Sequence, residues 1–280
     1  MRIDAHIHFW RLARGDNTAL EPWMGPLLHD HEPETLRPQL DACGIDRIVV
    51  VQAAETLAEN LYTLGLAARA PWIAGVVGWI DLASPALVEE LAALSSTGRL
   101  VGVRPVRDDN RSIGWLLQQR YAEGLRQIQA AGLTVDVLVQ NPDEIPIVTQ
   151  LAARHPELRL VLDHCGKPDI KAGRHQPWAE AIAALAKHPN AVCKLSGLLN
   201  CAPSGAGAEV LEPFAAHVLH TFGSERTLWA SDWPPLLLAA NYADWWRVTG
   251  ELLAGLGTAE RDAVLGGTAA RIYRLEAARG

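Results

Sequence analysis

Cysteine is scarce in this 280-residue chain: four residues, Cys43, Cys165, Cys193 and Cys201, with no CxxC spacing among them. A chain of this length buries enough core to need no disulfide staples, so the four read as free thiols in a reducing compartment. Runs of Lys or Arg are missing and the formal net charge is −7, which removes nucleic acid as a partner because nothing would track a phosphate backbone. No stretch approaches the roughly 18 uninterrupted apolar residues of a membrane span. The amino-terminal MRIDAHIHFW carries Asp4, His6 and His8 where a signal peptide has its apolar run, so a cytoplasmic protein beginning at Met1 is expected. Phe and Tyr are sparse, three and four, beside ten Trp. Trp178, Trp245 and Trp246 fall in helical patterns and are expected in the core.

What the chain has in quantity is short β-branched apolar runs, at residues 2–8, 47–52, 73–79, 100–106, 133–139, 158–164, 191–197 and 226–233. Most are continuous rather than alternating, the pattern of strands covered on both faces in a parallel sheet. Helical stretches lie between them. SPALVEELAALSSTG offers Ser84 as N-cap, Pro85 at the first helical position and Gly98 past the end; DEIPIVTQLAARHP, QPWAEAIAALAKHP and NYADWWRVTGELLAGLG behave alike. Each pair of strand starts leaves room for one helical crossover, and no Gly/Ser-rich linker interrupts the series. The expectation is an α/β fold, a single (β/α)8 TIM-type barrel domain over residues 1–280. The alternative, a doubly wound open sheet, requires a Gly-rich turn after the first strand, where this chain has HIHFW. The long connection 9–46 is expected to form an irregular loop over one barrel end, a lid or pocket wall.

In such a barrel the active site gathers at the carboxyl ends of the strands. Those ends are polar here: His6 and His8, Gln52, Arg104 then Arg107, Asp163 and His164, Lys194 and Ser196, Ser231 and Asp232. Residues two apart on a strand share a face, so His6 and His8 aim together into the mouth. With His164 and Asp232 they make three imidazoles and a carboxylate. That set suits one zinc or similar divalent ion, and equally a metal-free site that binds a carbonyl oxygen and activates water. His29 and His31 repeat the spacing inside a Pro-rich loop and read as solvated. His155 and His188, before prolines, read as exposed helix ends, and His217 and His220, on a helix, as structural. Asp163 or Asp136 is an alternative, purely structural partner for Arg104.

Five segments in this order, DAHIHFW, LVLDHCGKP, VCKLSGL, ASDWP and GGTAARIYRL, resemble the amidohydrolase superfamily. The likeness is to its branch that opens sugar lactones such as L-fuconolactone and L-rhamnonolactone, with pyrone-dicarboxylate lactonase as a more distant cousin. The resemblance runs from Arg2 to about Leu275. It implies His6, His8 and His164 as the family histidines, Asp232 as the acid–base carboxylate, and Arg104 and Lys194 as cationic substrate contacts. Two departures stand out. The two-metal members need a bridging ligand, usually a carboxylated lysine, and a further histidine from the middle strands; neither is evident here, so one metal at most is expected, and the branch includes metal-free members. Where fuconolactonase-like relatives carry a histidine-bearing segment after the fourth strand, this chain has Arg104, Pro105, Val106 and Arg107. Two guanidinium groups there suit a lactone bearing a carboxylate or sulfonate.

The chemistry fits these residues without the family. Opening a lactone needs a nucleophilic water, a polarised carbonyl and a proton for the departing alkoxide. Asp232 can take and return the proton, the imidazoles can stabilise the oxyanion directly or through a metal, and Lys194 can add positive charge near the carbonyl or, alternatively, neutralise a buried carboxylate. Trp10, Gln52, Arg104, Arg107 and Trp233 complete the candidate substrate wall, the indoles as flat faces for a sugar ring. Two other readings stand beside a lactonase: a metal-dependent decarboxylase of the same superfamily, and a noncatalytic ligand-binding barrel. KLSG and SDWP favour the lactonase, and the full set of acid, base and carbonyl-binding groups weighs against the noncatalytic barrel. The oligomeric state is open.

Overall fold

The β-branched runs pair in strict chain order. In the computed structural model, which describes residues 1–106 and 112–275, β1 (Ile3–Ile7), β2 (Arg47–Val51), β3 (Ile73–Gly78), β4 (Leu100–Val103), β5 (Thr134–Val137), β6 (Leu160–Leu162), β7 (Ala191–Leu195) and β8 (Thr227–Trp229) form one sheet. Every neighbouring pair is parallel. The sheet then closes on itself just past β8: His8 N donates to the Trp233 carbonyl at 2.8 Å and Asp232 N to the His6 carbonyl at 3.0 Å. The fold is a (β/α)8 barrel, and the open doubly wound sheet is excluded.

Crossover helices follow the strands at Pro33–Cys43, Leu57–Arg69, Leu87–Ser95, Gln119–Ala130, Ile145–Arg154, Trp178–Ala186, Ala208–Phe222 and Tyr242–Leu252. Two expectations need correction. The connection 9–46 is irregular only to about residue 32; its second half is the helix Pro33–Cys43, which buries Leu36, Leu40 and Cys43. Pro33 takes the first helical position, where no N–H is required, and Pro38 inside the helix disguises the pattern. The Ser84 signal also acts early. Its Oγ accepts from Ala86 N at 3.2 Å, closing a turn ahead of the helix that starts at Leu87. Among the described residues no helix is long and apolar enough to cross a membrane.

The core has two layers. Inside the barrel Ile3, Ala5, Val49, Val51, Val161, Val192 and Leu228 pack together with Ile272 and Tyr273 of the carboxyl-terminal segment. Outside, the other strand faces pack on the helices through residues such as Ile7, Phe9, Leu36, Leu40 and Val50. β1 changes face midway: Asp4 pairs with Ile48 but Ile7 with Val50, so β1 carries one residue more than β2 there. This bulge lets Ile3 and Ala5 fill the interior low down while His6 and His8 occupy the interior at the mouth. Asp4 is turned toward β8, where it accepts from Ser231 N at 3.0 Å, Tyr242 OH at 2.8 Å and His6 N at 3.2 Å. Burial pushes its carboxyl up to about 6, against the lowering effect of those bonds.

Tyr242→Phe leaves one oxygen of this buried acid without its donor. A loss of about 1–3 kcal/mol is expected, read as a lower urea midpoint with an unchanged slope. An unchanged midpoint would show that this hydrogen bond does not hold the β1–β8 seam.

Candidate active site

The site is assembled where strands end and the backbone leaves regular geometry. Beyond β6, His164 (φ 51°), Cys165 (φ 52°) and Lys167 (φ 51°) take the left-handed conformation, and beyond β8 Asp232 does so at φ 60°. Each such non-glycine residue costs on the order of 1–3 kcal/mol and persists only where its surroundings hold it. His164 Nδ1 lies 2.9 Å from Ser196 Oγ, and Asp232 N is tied to the His6 carbonyl. Gly197, at φ +67°, passes so near His164 that a Cβ would stand 2.8 Å from the His164 Cβ.

Three imidazoles face one carboxylate. His6 Nε2 and His8 Nε2 are 3.0 Å apart; Asp232 Oδ1 lies 3.6 Å from the first and 3.5 Å from the second, and its Oδ2 3.7 Å from His164 Nε2. All four are buried. Burial alone would raise the Asp232 carboxyl, but His164, His8 and His6 hold it well below the ordinary carboxylate range. Burial lowers His6, with Lys194 adding to the effect, and burial lowers His164 too. The site therefore presents an ionised carboxylate to the neutral imidazoles of His6 and His164.

This donor set fits a metal. His8 Nδ1 donates to the Val51 carbonyl at 2.9 Å, which fixes the ring with Nε2 turned toward Asp232. Ligand atoms of His6, His8 and Asp232 lie within 4.8 Å of one another, as do those of His6, Asp163 and His164. Imidazole nitrogen and carboxylate oxygen are the ligands zinc prefers, so the residues present suit one divalent ion.

Beneath the imidazoles sits a charge network. The wholly buried Lys194 Nζ lies 2.6 Å from Asp136 Oδ2, 2.9 Å from Asp163 Oδ1 and 2.9 Å from His6 Nδ1. Tyr273 OH donates to Asp136 Oδ2 at 2.6 Å and Thr134 OH to Asp136 Oδ1 at 3.0 Å. Burial works against the Lys194 charge, yet Asp136 and Asp163 raise it above the ordinary lysine value. Asp163, despite burial, is held well below its ordinary range by Lys194 and His6. Arg104 reaches in from β4, with Nη1 3.6 Å from Asp163 Oδ2 and Nη2 donating to the Gln52 carbonyl at 2.7 Å. Its Nε is buried and has no partner among the described residues. Beside this cluster opens a cavity of about 210 Å³, walled by His8, Trp10, Arg104, Met24, Leu27 and Leu238.

His6, His8, His164 and Asp232 thus converge, and Arg104 and Trp10 line the cavity. Gln52 grips Arg104, its Nε2 donating to the Arg104 carbonyl at 3.3 Å. Lys194 lies under His6 and away from the cavity wall. Trp233 packs behind, against Phe9 and His31, with ring centroids 6.0 and 5.0 Å away. Arg107 lies outside the described residues. His31 is buried, contrary to the solvated reading, because it exchanges two 2.9 Å backbone hydrogen bonds with Trp10 and its ring lies between Trp10 and Trp233. His155 and His188 are half-buried rather than exposed, His155 because its N–H closes the preceding helix on the Leu151 carbonyl. Met24 and Leu27 place the first connection in the pocket wall, as expected of it; Tyr273 and Gly197 escape a reading of the sequence, because both act through partners distant in the chain.

A family model described as Amidohydrolase matches residues 3–275. An L-fucono-1,5-lactonase of Burkholderia ambifaria is 36% identical over 279 residues, covering 98% of this chain and 96% of that protein. An L-fucono-1,5-lactonase of Burkholderia multivorans is 36% identical over 287 residues, with 98% and 96% covered. A crystal structure of an amidohydrolase from Burkholderia multivorans with bound zinc is similar at a TM-score of 0.93 and 36% identity, covering 99% of this chain and 100% of that one.

Gly197→Ala tests how tightly His164 is placed. The added methyl has to displace the His164 ring from its present place, and displacements near 1 Å at a reacting centre cost up to about a hundredfold. Turnover is expected to fall at least about tenfold in a variant that keeps its circular dichroism spectrum; turnover within about twofold of the parent would mean that His164 has room to spare.

Proposed function

This chain belongs to the amidohydrolase family, and from that membership we propose that it is a lactone hydrolase of carbohydrate metabolism, opening the ring ester of a sugar-acid lactone such as L-fuconolactone or L-rhamnonolactone. The observation that carries the reading is the ionised Asp232 carboxylate facing the imidazoles of His6, His8 and His164 beside a 210 Å³ cavity. It joins a base for water to a place for a carbonyl oxygen. The L-fucono-1,5-lactonases at 36% identity support the substrate class. The enzyme acts as one barrel domain over residues 1–280, in the cytoplasm, on a small molecule.

A divalent ion held by His6, His8, His164 and Asp232 would polarise the lactone carbonyl and acidify water. The remaining work belongs to the side chains. Asp232 accepts a proton from the attacking water and returns it to the ring oxygen as the ester C–O bond breaks, leaving the open hydroxy acid. His8, pinned by Val51, and His164, pinned by Ser196, keep their ring nitrogens aimed at the reacting centre. Lys194 holds His6 from below. Trp10 offers a flat face to the sugar ring, backed through His31 by Trp233, and Met24 and Leu27 keep bulk water out.

The Arg104 Nε, without a partner among the described residues, favours a second reading within the same reaction, a lactone with a carboxylate or sulfonate. A buried guanidinium edge without a partner is a poor resting state unless a ligand completes it.

Asp232→Asn is expected to fold and to lose at least about a hundredfold in kcat, because an amide neither takes nor returns the proton. Proton release on a panel of neutral and acidic lactones measures it, and activity within about tenfold of the parent would end the proposed role. On the same panel Arg104→Ala is expected to raise KM at least about tenfold, roughly 1.4 kcal/mol of binding, with the larger effect on acidic lactones. Unchanged KM and kcat would make Arg104 structural and leave only the neutral-sugar reading.

A further inference from the structure

A second, larger cavity, about 550 Å³, opens on the same rim of the barrel. Trp23 covers it from the first loop, Lys171 enters from the loop after β6, Asn200 from the turn after β7, and Leu238, Asp244 and Arg247 from the segment after β8. Leu238 also lines the catalytic cavity, and of the neighbours Trp23 and Met24 one faces each cavity. The two spaces share a wall.

The lining is equipped for a sugar. Trp23 is 70% exposed, an indole left in water unless something lies on it. Asn200 Nδ2 donates to the Pro235 carbonyl at 2.8 Å, which leaves its Oδ1 free to accept. Arg247 pairs with Glu251 at 2.6 Å, whereas among the described residues no ion pair reaches Lys171 or Asp244. An aromatic plate ringed by a carboxylate, an amide and two cations offers stacking to the C–H face of a pyranose and both donors and acceptors to its hydroxyls.

We propose that this cavity is a second saccharide subsite, which takes the glycosyl unit of a glycosylated sugar-acid lactone while the lactone ring occupies the catalytic cavity. The lactone half of the statement rests on the proposed hydrolase activity; the saccharide half does not.

The experiment therefore has a binding arm and a turnover arm. Calorimetry compares lactobionate, cellobionate and maltobionate with gluconate, and proton release compares the corresponding lactones. At least one disaccharide acid is expected to bind about tenfold or more tightly than gluconate. Trp23→Ala and Asp244→Ala, on different elements, are each expected to abolish that advantage while kcat/KM for gluconolactone stays within about twofold. The proposal is overturned if none of the three disaccharide acids outbinds gluconate, or if both variants weaken the monosaccharide and disaccharide series equally. A protein that opens none of the lactones yet keeps the Trp23-dependent preference would end the hydrolase reading and leave the subsite standing.

Discussion

Everything at the mouth of this barrel depends on one buried ammonium group. Asp136 and Asp163 both project into an interior closed to water, and two carboxylates at that depth are tolerated only with a cation between them. Lys194 supplies it, and the same Nζ contacts His6. Removing one partner of such a buried set usually costs about 3–5 kcal/mol, whereas the intact set adds little net stability. Its value here is positional. β1, β5, β6 and β7 each contribute one member, and Tyr273 brings in the carboxyl-terminal segment.

The candidate functional residues share a local habit: each sits where its strand departs from regular pairing. His6 lies within the bulge in β1 and His8 just past it, and His164 and Asp232 lie in left-handed backbone just beyond β6 and β8. A regular strand points successive side chains to opposite faces and carries them away from one another. The departures bend four residues from three strands toward a common point. The energetic load of two strained residues is carried by neighbours with no direct part in chemistry, among them Gly197, Ser196 and the His6 carbonyl.

Much of this was legible in the sequence, for physical reasons. Strands covered on both faces are apolar nearly throughout, so most of the eight read as continuous runs, and polar residues closing those runs have nowhere to go but the mouth. His6, His8, His164 and Asp232 were visible on that ground. What stayed hidden lacks a local signature. Two prolines disguised the helix Pro33–Cys43. Depth was equally hidden: Lys194 at a strand end reads the same whether it faces substrate or, as here, lies under His6 between carboxylates from two other strands. His31 looked solvated because one partner, Trp10, pairs with it only when the first loop doubles back, and the other, Trp233, is brought to it by barrel closure.

The closure itself has a consequence for synthesis on the ribosome. The hydrogen bonds that seal the barrel join residues 6–8 to residues 232–233, and the Lys194 network is completed by Tyr273. A nascent chain can therefore stack its first seven strands and still contain no reaction centre. The two histidines made first wait for the Asp232 carboxylate, which is made just after the last strand. Truncated products would carry most of the scaffold and none of the chemistry.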